Sequence, residues 1–339
     1  MTALIGAQPN NDPAGPLITC VGEVLIDFLP IIEDGRTVGF RSHPGGSLLN
    51  VAVAAARLGA RVALATRTGD DFFGRSLRAY AEGEGIDVRW MSEAPARTTL
   101  GFVSFEGGEP AYAFYGEGTS DTLLVPENLP DELLDETAIL HVGSISLLRG
   151  STPATVLSAC ERLRGRALLS LDPNVRPDLV RDEPAYRAML DRFFALVDVV
   201  KVSAADLAWL TPGRDIEAVA GELLDRGASL VAVTDGGAGV VALQRTARGT
   251  QRFGVPSFQV AVADTVGAGD TFDAGLLTRL VELRATSRDA IERLAAEAVE
   301  ETLRFAAGVA ALNCTRPGAD PPHRAEADAF LARPPVRTP

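Results

Sequence analysis

Short apolar stretches of strand type alternate with amphipathic stretches of helical period along most of this chain of 339 residues. The first three are ITCVGEVLIDFLP, expected to be a strand that ends near Asp27, then the helix GGSLLNVAVAAARLGA and the strand RVALATRTG. Such alternation is typical of a parallel sheet covered by helices. No internal repeat or low-complexity linker divides the chain, so we expect one α/β domain over residues 17–332 behind a disordered tail at residues 1–16.

The alternation resumes near residue 138 and continues to the C-terminal part of the chain. There a stretch rich in small residues leads into two long helical patterns, GDTFDAGLLTRLVEL and DAIERLAAEAVEETLRFAAGVAAL. We therefore expect two long helices to close the domain.

Two segments interrupt the alternation and are expected to form a small separate sheet, here called the lid. Residues 98–116 contain two alternating strands joined by a Gly-rich turn, and residues 28–42 add further extended sequence. A lid above the carboxyl ends of the main strands would cover the place where open α/β sheets bind ligands. The alternative is that both segments are edge strands of the main sheet. Phe102, Phe105 and Phe114 would either cover a ligand or join two lids in a homodimer.

Charge and composition narrow the classes of partner. A formal net charge of −13 opposes binding to nucleic acid or to an anionic membrane surface, so small molecules are the expected partners. No apolar run approaches the ~20 residues of a membrane span, and the first residues lack the pattern of a signal peptide. The expected location is the cytoplasm. Three scattered cysteines and three scattered histidines predict neither disulfides nor a zinc site.

Common phosphate-binding motifs are absent from the sequence. Lys201 is the only lysine and lies outside any glycine context, which excludes a P-loop. The HRD and DFG signals of protein kinases and a GxGxxG after the first strand are missing as well. The use of a lysine at this one position has two explanations. Either the composition of the chain is biased toward arginine, or the position needs a compact ammonium rather than a planar guanidinium.

The stretch DTVGAGDTFDAG, Asp264 to Gly275, places a glycine turn at the start of a helix. The unpaired N–H groups of a helix start attract anions, and glycines let the backbone approach them closely. Asp270 falls in the first helical turn beside that anion. A carboxylate there is useful if a hydroxyl lies between the two and gives its proton to Asp270. Alternatively, Asp270 only stabilises the helix start, while Asp264 is a turn former, a support for its neighbours or a ligand of a monovalent cation.

The chain resembles the ribokinase-like (PfkB) carbohydrate kinases from about residue 17 to 325. Two stretches specific to that family carry the resemblance, DTVGAGDTFDAG and GGSLLNVAVAAARLGA. Four others, GEVLIDFLP, HVGSISLL, LSLDPNVR and VVKVSAADLAWLT, are most similar to fructokinases. The resemblance implies a doubly wound, mostly parallel sheet with a small β lid. It also implies ATP-dependent phosphorylation of a sugar hydroxyl with Mg²⁺, and the fructokinase-like stretches make fructose the expected sugar.

The resemblance further assigns residues to the reaction and to the sugar. Asp270 is expected to be the base, Gly267, Ala268 and Gly269 to form the anion hole, and Arg176 to contact the transferred group. The residues expected to bind the sugar are Asp27, Gly45, Gly46, Asn50, Phe114 and Asn174.

The nucleotide and the metals are assigned in the same way. The residues expected at the nucleotide are Lys201, Ser203, Thr234, Gly236, Gly239, Gly267, Gly269 and Asn313. Asp206 is expected to hold Mg²⁺ through water, and Asp264 to contact a monovalent cation such as K⁺.

Two departures from the family pattern leave alternatives open. The Asn-x-x-Glu of the family is here Ser203-Ala-Ala-Asp206, which keeps one carboxylate but shortens it. Many fructokinases have an arginine after the lid Phe-Tyr, whereas Gly116 follows Tyr115 in this chain. The acceptor could therefore be ribose, 2-keto-3-deoxygluconate or a nucleoside, and the protein could also be a sugar-binding regulator without turnover.

Overall fold

The protein contains two β-sheets and helices that cover both faces of the larger one. The structure, a computed structural model, describes residues 15–106 and 109–332, with only the backbone described within 103–112. In chain order the strands are β1 Leu17–Val21, β2 Leu25–Glu33, β3 Arg36–Gly45, β4 Arg61–Gly69, β5 Met91–Ala94, β6 Thr99–Glu106, β7 Glu109–Tyr115, β8 Thr137–Gly143, β9 Leu168–Asp172, β10 Val199–Ser203, β11 Leu230–Asp235, β12 Gly239–Thr246 and β13 Gly249–Val255.

The helices lie mostly between consecutive strands of the larger sheet. They are α1 Ser47–Arg57, α2 Phe72–Gly83, α3 Asp131–Glu136, α4 Thr152–Leu163, α5 Glu183–Phe194, α6 Ala204–Leu210, α7 Ile216–Asp225, α8 Ala268–Glu282, α9 Arg288–Glu292, α10 Ala296–Asn313 and α11 Arg324–Leu331. Short 3₁₀ helices occupy Ser120–Leu123, Pro126–Asn128, Ser144–Leu147, Pro177–Leu179 and Gly236–Ala238.

The main sheet has the strand order β13-β12-β11-β10-β9-β8-β1-β4-β5. All neighbours are parallel except β12, which is antiparallel to both β11 and β13. Successive residues of a strand enter different cores: Leu230 and Ala232 pack with α1, α8 and α10, whereas Val231 and Val233 pack with α4, α5 and α7. Burial on both faces explains the nearly continuous apolar runs of these strands. The predicted fold class is confirmed.

The lid is a separate four-stranded sheet with the order β3-β2-β6-β7. Strand β2 pairs antiparallel with β3 and parallel with β6, so the two hairpins join side by side. The alternative that these segments are edge strands of the main sheet is therefore wrong. The lid strands cover residues 25–45 and 99–115, where the sequence indicated 28–42 and 98–116.

The first predicted strand is in fact two strands in different sheets. The chain leaves the main sheet at Gly22, whose N–H donates to the Ala65 carbonyl at 3.2 Å. The next N–H, of Glu23, donates to Ser146 Oγ at 2.7 Å instead of to a strand. Strand β2 then begins at Leu25, so Asp27 lies on the lid and not at the end of the first main strand. The expected position of Asp27 was wrong for this reason.

The second long C-terminal helix is also interrupted. Helix α9 ends at Glu292 and α10 begins at Ala296, with a bend between them. The buried Gln244 side chain donates from Nε2 to the carbonyls of Ile291 (2.7 Å) and Leu294 (3.2 Å). A side chain from β12 thus binds carbonyls that a continuous helix would use internally.

Two further expectations concern the ends of the chain and membranes. The expected disordered tail falls mainly on residues 1–14, which lie outside the described residues, and the limits of the single domain stay a prediction. Within residues 15–106 and 109–332, no helix is long and apolar enough to cross a bilayer.

Helix α8, which carries the glycine-rich motif at its start, packs against both α1 and α10. The contact with α10 is close at Gly275, where a Cβ atom would lie 2.7 Å from Val309 Cγ2 and 2.9 Å from the Ala306 Cα. Because the second of these atoms is backbone, a side chain at residue 275 would have to push the two helices apart. The position of α8 therefore depends on Gly275.

We expect Gly275→Ala to lower the free energy of unfolding by about 1 to 3 kcal/mol, the usual cost of overpacking. Gly221→Ala is the matched control, since Gly221 lies inside α7 with no atom within 4 Å of a built Cβ. That control should be neutral or stabilising by about 0.5 to 1 kcal/mol. Urea unfolding measures both, and equal effects of the two substitutions would contradict the close packing.

Candidate active site

A cavity of about 470 Å³ lies between the lid and the start of α8. Its size suits a small-molecule ligand. It brings together many of the predicted residues, namely Asp27, Gly46, Asn50, Phe114, Asn174, Arg176, Gly267, Gly269 and Asp270. Other residues line it that the sequence did not indicate, including Glu23, His43, Ser47, Ser144, Thr265 and Ala319.

Asp270 lies at the wall of this cavity with only 6% of its surface exposed. Its carboxylate accepts hydrogen bonds from Ser47 Oγ (2.6 Å) and from Asn50 Nδ2 (2.8 Å), both on α1. Burial raises the pKa of Asp270, while these two hydrogen bonds and the charge of Lys201 oppose the rise. The result is a carboxylate that is fixed in orientation and more basic than an exposed aspartate.

The start of α8 presents backbone N–H groups to the same cavity. Gly267 is the N-cap residue in a left-handed conformation (φ 73°), which glycine adopts without strain. No acceptor among the described residues takes the N–H of Gly267 or Gly269. The N–H of Ala268, by contrast, donates to the Thr265 carbonyl at 3.2 Å, and Ala268 is not among the cavity residues. The predicted anion hole thus has two available amides from its three residues.

Asp27 projects into the cavity from lid strand β2, between two glycines. A Cβ atom at Gly45 would lie 2.1 Å from Asp27 Oδ2, and one at Gly101 would lie 2.7 Å from Oδ1. Gly45 thus shapes the site by leaving room for the carboxylate. Burial and then the charge of Asp270 raise the pKa of Asp27 to about 6, against the opposing charge of Arg176. Its oxygens accept no hydrogen bond from the described residues and are available to ligand hydroxyls.

Asn174 and Arg176 follow strand β9 and reach the opposite wall. Asn174 Nδ2 donates to Ser47 Oγ at 3.1 Å and lies 3.4 Å from an Asp270 oxygen. The Arg176 guanidinium donates to Asn174 Oδ1 at 2.6 Å. Arg176 is exposed and lines the cavity, so its remaining N–H groups can meet a ligand.

Lys201 does not line the cavity and is buried beneath it. It is 3% exposed, and its ammonium lies 2.7 Å from Asp172 Oδ2 and 3.4 Å from Asp273 Oδ2. Burial would lower the pKa of Lys201, but these carboxylates outweigh it and raise the pKa. A Cβ atom at Gly269 would lie 2.8 Å from the ammonium. Lys201 therefore supports the glycine turn from beneath, and its role at the nucleotide stays a prediction.

Asp273 brings one more carboxyl into this buried cluster. Both of its oxygens are buried and accept no hydrogen bond from the described residues. Burial raises the pKa of Asp273 well above its ordinary value, and the single ammonium of Lys201 only partly opposes this effect. Asp172 and Asp270 raise it further. With one cation among three carboxyls, the surroundings favour the neutral form of Asp273.

Glu23 is a site residue that the sequence analysis missed. It is 1% exposed, accepts the N–H of Ser47 at 3.0 Å and accepts a hydrogen bond from Ser146 Oγ. Burial raises the pKa of Glu23 to about 7, against the effect of the Ser146 hydrogen bond. The signal was a single acid inside an otherwise apolar run, VGEVLI. Such a residue must have buried hydrogen-bond partners.

Gly267 and Gly269, which are also predicted at the nucleotide, line the cavity, whereas the other residues of that set do not. Ser203 and Thr234 are register partners at the carboxyl ends of β10 and β11, and Gly236 and Gly239 form the turn after β11. Asn313, in contrast, is fully buried and donates from Nδ2 to the Val266 carbonyl at 2.8 Å. Asn313 thus fixes the glycine-rich motif from behind.

The two predicted metal ligands have hydrogen-bond partners in the protein. Asp206 accepts the Val175 N–H at 2.8 Å and, through its other oxygen, the Ser203 hydroxyl at 2.6 Å. Asp264 accepts the N–H groups of Val266 (3.1 Å) and Gly318 (2.8 Å). Among the residues described, no cluster of three or more His, Cys, Asp or Glu side chains could hold a metal ion. The metal roles stay predictions.

Comparison with known proteins identifies similar chains over nearly the whole length. Residues 16–326 match the family described as pfkB family carbohydrate kinase. A fructokinase of Rhizobium leguminosarum bv. trifolii is 38% identical over 264 residues, 78% of this chain and 79% of the relative. The fructokinase of Xylella fastidiosa with bound ATP superposes with a TM-score of 0.86 at 31% identity, over 94% of this chain and 98% of that one. The fructokinase of Vibrio cholerae O395 with fructose, ADP and potassium ion gives 0.80 at 30% identity, over 93% and 98%.

We expect Gly101→Ala to displace the Asp27 carboxylate and to raise the KM for the cavity ligand by about 10-fold, since small displacements of a positioned group are costly. The matched control is Gly39→Ala on lid strand β3, where a Cβ would meet only Ile31 Cδ1 at 3.8 Å. Steady-state kinetics of both variants measure the effect. An unchanged KM in Gly101→Ala would show that Asp27 does not bind the ligand.

We expect Asp273→Asn to stabilise the protein increasingly as the pH rises above about 3.9, the ordinary carboxyl pKa. The folded wild type keeps the Asp273 proton and the unfolded chain loses it, so unfolding releases a proton and a higher pH favours unfolding. The variant lacks this proton, and its advantage should grow by up to about 1.4 kcal/mol per pH unit. Urea unfolding from pH 4 to 8 measures it. The exposed Asp289 gives an Asp→Asn control, and a difference that does not change with pH would mean that Asp273 is ionised.

Proposed function

The chain belongs to the PfkB family of carbohydrate kinases and is a sugar kinase, and on this premise we propose that it transfers the γ-phosphoryl group of ATP to a hydroxyl of fructose. The observation that carries the proposal is the arrangement of Asp270. This buried carboxylate is held by Ser47 and Asn50 beside a helix start with free amides, in one cavity with the Asp27 carboxylate. A non-catalytic regulator has no need of such an arrangement.

In the proposed reaction Asp270 accepts the proton of the sugar hydroxyl. The sugar oxygen forms a bond to the γ-phosphorus, and the bond from that phosphorus to the bridging oxygen of ADP breaks. Because its pKa is raised, ionised Asp270 is a better proton acceptor than an exposed aspartate. The hydrogen bonds from Ser47 and Asn50 hold its oxygens in place during the transfer.

The charge of the transferred group would be stabilised by groups that already point into the cavity. These are the N–H groups of Gly267 and Gly269, the positive end of the 15-residue helix α8, and the guanidinium of Arg176. Phosphoryl transfer depends mainly on such positioning and charge stabilisation. Lys201 adds a fixed positive charge beneath Gly269.

Fructose as the acceptor is supported by two observations. The similar proteins above are fructokinases, and one of their structures holds fructose with ADP. In this chain Asp27 and Asn50 place a carboxylate and an amide in the cavity, which are acceptors and donors that suit a polyol. Gly116 is the sequence departure that keeps another acceptor open.

Mg²⁺ and a monovalent cation complete the proposal. The residues fit Mg²⁺ as an ion carried by the nucleotide phosphates, with water between it and Asp206, since Mg²⁺ prefers to keep several waters. It would neutralise phosphate charge. The V. cholerae structure holds a potassium ion, and Asp264 keeps lone pairs for such a cation in this chain.

We also propose that two copies of the chain associate through their lids. The lid exposes a group of large apolar side chains, Ile31, Ile32, Val38, Phe40 and Tyr115. Exposed apolar patches of this kind often mark interfaces. Phe102 packs inside this sheet against Phe28 with a centroid distance of 4.7 Å, while the side chain of Phe105 lies outside the described residues. A homodimer in the cytoplasm stays a prediction.

We expect Asp270→Asn to lose at least about 10²-fold in kcat on fructose and ATP while it still binds ATP. Coupled ADP release with fructose, ribose, 2-keto-3-deoxygluconate and nucleosides tests the base and the acceptor together, and calorimetry tests nucleotide binding. The exposed Asp289→Asn serves as control. Near wild-type turnover of Asp270→Asn would remove Asp270 from the mechanism, and higher kcat/KM on another acceptor would replace fructose.

A further inference from the structure

A second cavity, of about 460 Å³, adjoins the sugar cavity at the base of the lid. Phe114 lines both cavities and therefore lies at the boundary between them. Three arginines line the second cavity, Arg97, Arg149 and Arg181, together with one acid, Glu117. In a chain of net charge −13, this concentration of guanidinium groups at one cleft is unusual. None of the three arginines, nor Glu117, has a role in the reaction described above.

Of the three arginines, Arg149 gives the strongest indication of a binding site. Its Nε is buried and has no hydrogen-bond partner, and its guanidinium forms no ion pair with any residue in the described parts of the chain. A buried donor without a partner is costly, and a bound ion is one explanation for such a group. The guanidinium lies against Gly116, where a Cβ atom would be only 3.0 Å from its Nη2. The lack of a side chain at residue 116 thus makes room for Arg149.

The neighbouring charges leave this cleft positive. Arg97 is exposed and its side chain likewise has no ion pair with the described residues, whereas Arg181 meets Glu117 at 3.3 Å. Both partners of that pair are largely exposed, so an entering anion can replace Glu117 at little cost. Asp121 lies below but is buried and accepts hydrogen bonds from Thr99 and Thr119. It forms no ion pair with Arg149 either.

We propose that the second cavity is a binding site for the phosphoryl group of a small phosphate compound, held by Arg149 and Arg97 and reached past Arg181. Planar guanidinium groups bind a phosphate dianion through paired charge-assisted hydrogen bonds. The cavity is large enough for a sugar phosphate and not only for the free ion. The same chemistry fits inorganic phosphate and a sugar phosphate, including a product of this enzyme.

Occupancy of this site changes the affinity for the sugar, because Phe114 faces both ligands. By linkage, the sugar changes the affinity for the phosphate compound by the same factor. The sugar affinity of the protein would thereby depend on the concentration of the phosphate compound that binds at Arg149.

The test is a calorimetric titration with the catalytic site filled by fructose and a non-hydrolysable ATP analogue. Inorganic phosphate, fructose 1-phosphate and fructose 6-phosphate are the separate probes. We expect wild type to bind at least one of them, and Arg149→Gln to bind it at least about 10-fold more weakly. Arg248→Gln is the control, since it removes the same charge from the exposed turn between β12 and β13 and should bind like wild type. The probe that binds identifies the source of the phosphoryl group.

Three results would overturn the site: no binding of any probe to wild type, equal binding by Arg149→Gln, or equal weakening in Arg248→Gln. Sedimentation of the same proteins can give a fourth result that overturns the site. If Arg149→Gln changes the oligomeric state and wild type binds no probe, the cleft is a contact for a second copy. Should fructose prove not to be the acceptor, the inorganic phosphate titration with the nucleotide analogue alone still tests the site.

Discussion

One buried ammonium holds the reaction centre together. Lys201 comes from β10 and lies between Asp172, at the end of β9, and Asp273, on the second turn of α8. The two strands and the helix thus meet at a single cation that has no access to solvent. Without it, three carboxyls would share a low-dielectric space with no cation between them, and ionisation of any of the three would cost more free energy. A side chain at residue 269 would collide with this cation, since a Cβ there would lie 2.8 Å from the ammonium.

The cavity above this cluster is built from two sheets with different tasks. The main sheet and its helices fix Asp270, Asn50 and Asn174, whose hydrogen bonds to one another define one wall. The lid supplies Asp27, whose carboxylate accepts no hydrogen bond from the part of the chain that the structure describes and lies in the space left by Gly45 and Gly101. The wall that carries Asp270 is therefore fixed by hydrogen bonds, and the wall that carries Asp27 is fixed by shape.

Sequence reasoning succeeded where a local pattern determines the structure. Alternating apolar runs predicted the main sheet, and the glycine-rich turn predicted the helix start that carries Asp270. It failed where a distant side chain decides, as when Ser146 captures the N–H of Glu23 and Gln244 binds the carbonyls between α9 and α10. The burial of Lys201 was missed for the same reason, because its partners Asp172 and Asp273 lie 29 and 72 positions away in the chain. No periodicity in a short window contains such information.

The displacement of Asp27 from the main sheet to the lid has a mechanical consequence. Strand β2 leaves the core through only three residues, 22–24, and its hairpin returns at Gly45, directly beside its own starting point in the register. The hairpin is thus joined to the core at two adjacent points, and the Asp27 carboxylate lies on the part beyond them. Any outward movement of this hairpin would withdraw the Asp27 carboxylate from the cavity and open the cavity in the same motion.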